Sequence, residues 1–253
     1  MAPGRRALVL LAMVAIAVAI EAAWLAPATL VGAHVARATG GVLRLSDGEG
    51  TVWRGSGNVV AGTARIPVAW HLETWPLLRG VVRLRVTSGT GAPTPRATIA
   101  ASADTVSLDD VAVTFPAEVF TAALSQAAVV AVAGEVSLNA TTVEWTPASS
   151  RGEARFGWHS ARITFVGSAL PLDLGEVRAT LTADGRAFSG PVANDGGDLA
   201  LRGEWAMGPN EDLRLALLLT PRHAGQPEIA RALSALGTAD GTGWRVDWHV
   251  PLR

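Results

Sequence analysis

The feature that most constrains this fold is an alternation of apolar and polar residues with period two, recurring through the chain. Val82, Leu84 and Val86 alternate with Arg83 and Arg85; Ala154, Phe156 and Trp158 alternate with Arg155. Val177, Ala179 and Leu181 share one parity, as do Leu199, Leu201, Gly203 and Trp205. Leu213, Leu215, Leu217 and Leu219 form a further such set, and Trp244, Val246, Trp248 and Val250 another. Successive strand residues point to opposite faces, so each run gives a sheet one dry face and one wet face. Turn signals separate the runs: Asp47-Gly48, Gly89–Pro95, Asp184-Gly185, Asn194–Gly197, Pro209-Asn210 and Asp240–Gly243. In Glu135–Trp145 the apolar parity switches from Val136 and Leu138 to Val143 and Trp145, which predicts a bulge near Ala140–Thr142. A similar switch after Leu108 predicts a turn or bulge at Asp109-Asp110.

Two short helices are expected, at Ala117–Gln126 behind Pro116 and at Glu228–Leu236, and Ala28–Arg37 is a further candidate. In Glu228–Leu236, Ile229, Leu233 and Leu236 share a face and Gly237 can end the helix. The expected class is mainly β: an elongated, curved antiparallel sheet or a sandwich with one or two short helices, preceded by a single N-terminal transmembrane helix.

That transmembrane expectation comes from residues 7–26. Arg5 and Arg6 precede an uncharged stretch from Ala7 to Ile20, and the mostly apolar run of about 20 residues is long enough to cross a bilayer as a helix. Leu8, Leu11, Val14, Ile16, Val18 and Ile20 would face hydrocarbon, and Trp24 would anchor at the outer interface. No positive charge follows until Arg37, so the N-terminus is expected in the cytoplasm and the remainder outside. The expected organisation is a short cytoplasmic N-terminus over 1–6, a signal-anchor over 7–26 and a β domain over 27–253. A cleaved signal peptide is the competing reading, with Ala17-Val18-Ala19 as its cleavage site. The anchor is preferred because the apolar run continues past that site.

Composition removes several chemistries. The chain has no cysteine, which excludes disulfides, thiolate metal sites and a catalytic thiol. It has no lysine, which excludes a P-loop. With 21 Lys+Arg against 22 Asp+Glu, the formal net charge of -1 offers no global field for nucleic acid. His34, His71, His159, His223 and His249 show no metal-ligand spacing, and no G-x-S-x-G elbow occurs. Asn194–Asp198 reads as a hairpin turn rather than a calcium loop. No catalytic residue, metal or cofactor is therefore expected. The other notable residues are tryptophans: Trp53, Trp70, Trp145, Trp158, Trp205, Trp244 and Trp248 mostly fall on apolar parities, which points to core packing or, less simply, to a groove for an acyl chain or peptide.

At Gly50-Thr51-Val52-Trp53-Arg54-Gly55 the sequence resembles the type II secretion system protein N family, also called general secretion pathway protein N. The G-T-V-W-x-G hexapeptide, with Gly50, Thr51, Val52, Trp53 and Gly55, is the compact part of the match. The N-terminal apolar segment, the Trp-bearing stretch Pro67–Trp70 with Trp75-Pro76, and the C-terminal Leu217–Pro221, Leu233–Gly237 and Asp240-Gly241 follow in order. The resemblance implies a single-pass inner-membrane protein whose periplasmic domain serves the machinery that exports folded proteins across the outer membrane. It implies other secretion-system proteins as partners and carries over no catalytic residue. The alternative is a module whose apolar β face binds lipid or another hydrophobic ligand.

Overall fold

The computed structural model describes residues 25–89, 95–121, 129–165, 171–185, 187–207, 212–223 and 227–251. They form one antiparallel sheet of fourteen strands. The strands are β1 (Arg44–Gly50), β2 (Arg54–Ala61), β3 (Ala64–Glu73), β4 (Val82–Ser88), β5 (Arg96–Ala101), β6 (Val106–Pro116) and β7 (Val129–Trp145). They continue with β8 (Ser150–Phe165), β9 (Leu172–Gly185), β10 (Ala187–Asp195), β11 (Leu199–Met207), β12 (Asp212–Pro221), β13 (Thr238–Asp240) and β14 (Gly243–Pro251). Each strand from β1 to β12 pairs with its sequence neighbour; β14 then pairs with β12, and β13 forms the outer edge. The expected class is therefore found as a single sheet, not a sandwich.

The alternation places the core. On β8 to β14 the expected apolar parities face inward: Ala154, Val177, Leu199, Leu201, Leu217, Leu219 and Val246 are buried. Six pairings separate β7 from β14, about 29 Å in a flat sheet at the usual strand spacing. Yet Val136 of β7 and Val246 of β14 line one cavity, so this half of the sheet curls until its dry face meets itself.

Both phase switches are bulges. The β7–β8 register shifts between Ala140 and Val143. Asp110 is a bulge rather than a turn: it lies inside β6 at φ 49°, where the β5–β6 register shifts, and Arg96 grips its carboxylate through two hydrogen bonds of 2.6 and 3.0 Å. That pairing holds the Asp110 carboxyl below the ordinary aspartate range. Asp47-Gly48 is also a bulge, inside β1, and not the turn expected there; Asp47 sits at φ 53° and the chain reverses at Thr51–Trp53 instead. An Asn58 Nδ2 donor reaches the Asp47 carboxylate at 3.2 Å, which suits a residue held in the strand rather than at its end.

Helix α1 (Thr29–Ala38) packs on β1, with Gly32 against Leu45. A single turn, α2 (Thr74–Leu77), links β3 to β4 and was not among the expected helices. Behind Pro116 the expected helix is a 3₁₀ turn over Ala117–Phe120, followed by Thr121; the rest of that expectation lies outside the described residues. Helix α3 (Pro227–Leu236) buries Leu233 completely in the core of the curled half. Among the described residues no helix is long and apolar enough to cross a membrane. The expected span over 7–26 lies outside the described residues apart from its last two positions, so Leu8, Leu11, Val14, Ile16, Val18, Ile20 and Trp24 are not described.

Candidate functional site

Two regions carry the residues singled out by sequence. The first is the Gly50–Gly55 corner, and its logic is mechanical. Trp70 on β3 is only 6% exposed and lies over β2, where its ring fills the space a side chain at Gly55 would need. Its Nε1 donates to the carbonyls of both Thr51 and Val52, each at 3.2 Å. Gly50 sits at φ 88°, and a Cβ there would lie 2.5 Å from the Arg54 oxygen, so glycine alone fits without strain. The Thr51 amide donates to the Arg54 oxygen at 2.9 Å, and its Oγ1 accepts from the Arg54 amide at 3.2 Å. The corner also catches the incoming chain: Val52 N–H donates to the Ala26 oxygen, Ala28 N–H to the Gly50 oxygen, and Pro27 bridges Thr51. Trp53 is half-buried, and its carbonyl accepts from Leu72 N–H at 2.7 Å. The structure thus brings together every motif residue, as a clasp between the chain's approach, the first hairpin and β3.

The second region is the interior of the curled half, a cavity of about 340 Å³ with no polar group in its wall. Leu215, Leu217, Leu219, Val246 and Trp248 contribute from β12 and β14, the strands whose apolar face was legible in sequence. The opposite wall comes from Val132, Val136, Phe156 and Trp158; the apolar parity of Val136, Phe156 and Trp158 was legible too, but not that this wall, some eighty residues away, meets the first through curling. Trp158 turns its one polar atom aside, donating from Nε1 to the Ala133 oxygen at 3.0 Å. A wall of this kind can accept hydrocarbon but cannot orient or react with a polar substrate. Trp145 departs from the core-packing expectation: it ends β7 and stands exposed.

The wet face gathers one polar constellation. His159 on β8 meets Glu176 on β9 at 2.5 Å through Nδ1, and its Nε2 lies 3.4 Å from Ser137 Oγ on β7. Glu176 also accepts from the Ser160 amide at 3.1 Å, at a bulge where Ser160 adopts φ 49°. The Ser160 amide, and then His159, hold the Glu176 carboxyl below the ordinary glutamate range. The serine–histidine–acid order resembles a hydrolase triad, but the geometry does not serve one. The three lie on an open sheet face with His159 half exposed, and the amides beside Ser137 belong to the β7–β8 ladder instead of forming an oxyanion hole. These contacts bridge three strands across a bulge. Among the described residues no group of three or more histidines, aspartates or glutamates gathers to hold a metal.

Comparison with known families gives one match: the model of type II secretion system (T2SS), protein N covers residues 42–246. The matched stretch runs from just before β1 into β14 and contains the Gly50–Gly55 corner with Trp70 and every cavity-lining residue except Trp248. No curated protein and no solved structure matches the chain.

Proposed function

The chain belongs to the type II secretion system protein N family, and from that we propose an inner-membrane-anchored accessory of the secretion machine, whose β domain stands in the periplasm and supports assembly or operation of the apparatus. The observation that carries the reading is the extent of the family match, which takes in nearly the whole sheet. The apolar run over 7–26, with Arg5 and Arg6 ahead of it, supports the anchor and its orientation. The sheet itself supports a scaffolding role, because the described residues gather no catalytic constellation in a cleft, while apolar side chains cluster exposed at one end of it. Other secretion-system proteins are the natural partners. Deletion of the gene, followed by measurement of exported protein in the medium and complementation with the full chain, tests this reading. Unchanged export in the deletion strain would sink it.

The all-apolar cavity favours a second reading, in which the curled half holds the hydrocarbon part of a lipid. A cavity of this size falls in the range of small-molecule sites, and its wall selects for apolar ligands alone. Native mass spectrometry of the full chain from membranes would show a lipid adduct at a fixed stoichiometry. Its absence across several preparations would remove this reading and leave the first untouched.

A further inference from the structure

Where the exposed apolar side chains lie points to a membrane contact distinct from the anchor. In an antiparallel sheet of sequence neighbours, alternate connections fall at the same end. The β1–β2 turn, the Thr74–Val81 link, the Ser102–Thr105 turn and the Thr146–Ser149 turn therefore share one rim. Pro27, the residue that follows the apolar run, is fastened to this same rim through its bridge to Thr51. Ten large apolar side chains stand exposed among the described residues. Six of them, Leu25, Trp75, Leu78, Val82, Val106 and Trp145, lie on this rim. Leu30 and Leu108 lie just behind it, and only Val42 and Leu218 lie elsewhere. Trp75 is 68% exposed and Leu78 77%, on a turn that projects beyond the strands.

We propose that this rim rests on the bilayer surface, with Trp75 and Leu78 seated at the boundary between headgroups and acyl chains. The inference rests on reading residues 7–26 as the membrane anchor. A span ending at Ala26 delivers the chain to the membrane surface at the place where the rim begins. Tryptophan favours that boundary because its ring is apolar and its N–H can still meet water or headgroups. Arg79 and Arg83 flank the tip, while Glu73 is taken by Arg85 at 3.0 Å. Glu49 and Asp104 lie on the same rim, so its charge is mixed. Contact is accordingly driven by apolar seating and is expected on zwitterionic and anionic bilayers alike.

The chain has no cysteine, so single nitroxide labels can be placed cleanly. Full-length Leu78→Cys, Thr63→Cys and Ala15→Cys variants would be reconstituted in phosphatidylcholine vesicles, with and without phosphatidylglycerol. Depth is read from collisions with oxygen against a water-soluble nickel complex. Thr63 lies on the β2–β3 turn at the opposite end of the sheet. The expected result is hydrocarbon depth for the Ala15 label, and nickel access for the Leu78 label several-fold below that for Thr63 in both vesicle types. A Leu78 label as open to nickel as Thr63, with Ala15 in hydrocarbon, would overturn the inference and leave the anchor standing. Contact confined to the anionic vesicles would overturn apolar seating. An aqueous Ala15 label would overturn anchor and contact together.

Discussion

Replacing Trp70 separates the two things its indole does. Trp70→Ala removes a nearly fully buried ring and leaves a hole above Gly55, which has no side chain of its own to fill it. Such truncations cost about 3–5 kcal/mol. The lost Nε1 donor also leaves the Thr51 and Val52 carbonyls short of a partner, at roughly 1 kcal/mol. In a domain of this size each kcal/mol moves the melting temperature by about 2–4 °C, so Trp70→Ala is expected to lower it by on the order of 10 °C. Trp70→Phe keeps most of the ring and loses the donor, with an expected drop of roughly 2–8 °C for about 1–2 kcal/mol. Far-UV circular dichroism of the full chain in detergent is the suitable readout, since it follows the sheet and not the residue replaced. If Trp70→Ala melted within about 2 °C of the parent, the ring would not be what holds the corner closed. If Trp70→Phe were as damaging as Trp70→Ala, the hydrogen bonds would dominate and the packing account would be wrong.

Two further outcomes test other parts of the sheet. Gly190 on β10 lies against the Thr180 carbonyl of β9, so Gly190→Val should cost at least about 2–3 kcal/mol and loosen the β9–β10 ladder, visible as faster amide hydrogen exchange there; unchanged exchange would refute the close approach. Glu176 titrates lower in the folded protein than unfolded, so its stabilising effect is complete above the ordinary glutamate range and fades as pH falls toward the lowered value. Glu176→Gln should therefore be less stable than the parent at neutral pH, with the gap narrowing in acid; a gap that is constant across pH would show that the carboxylate charge is not involved.

The sequence carried local pattern well and long-range shape poorly. Strand parity on β8 to β14 was legible because a half-buried strand must alternate, and both bulges were legible because a phase switch has few other causes. Asp47-Gly48 misled because the same residues that favour turns also tolerate the positive φ of a bulge. A curved sheet was expected, but how far it curls was not legible, since the curl accumulates over six pairings, and neither was which strands face each other across the cavity. The hexapeptide was conspicuous as a resemblance, but the reason for Gly55 is an aromatic ring fifteen residues beyond it, placed by the register Gly55↔Trp70.

The connectivity of the sheet has a consequence for how the molecule is made. From β1 to β12 every strand finds its partner in the strand completed just before it. A chain released from its N-terminal end can add strands one at a time to a growing border, and no early strand must wait for a late one. The sole departure comes last: β14 reaches past β13 to join β12, and the three-residue β13 then closes the border. Short margins of this kind resist pairing with a second molecule. During synthesis, by contrast, each newly finished strand is briefly an open template, so slow production of the middle of the chain is when mispairing between copies would arise.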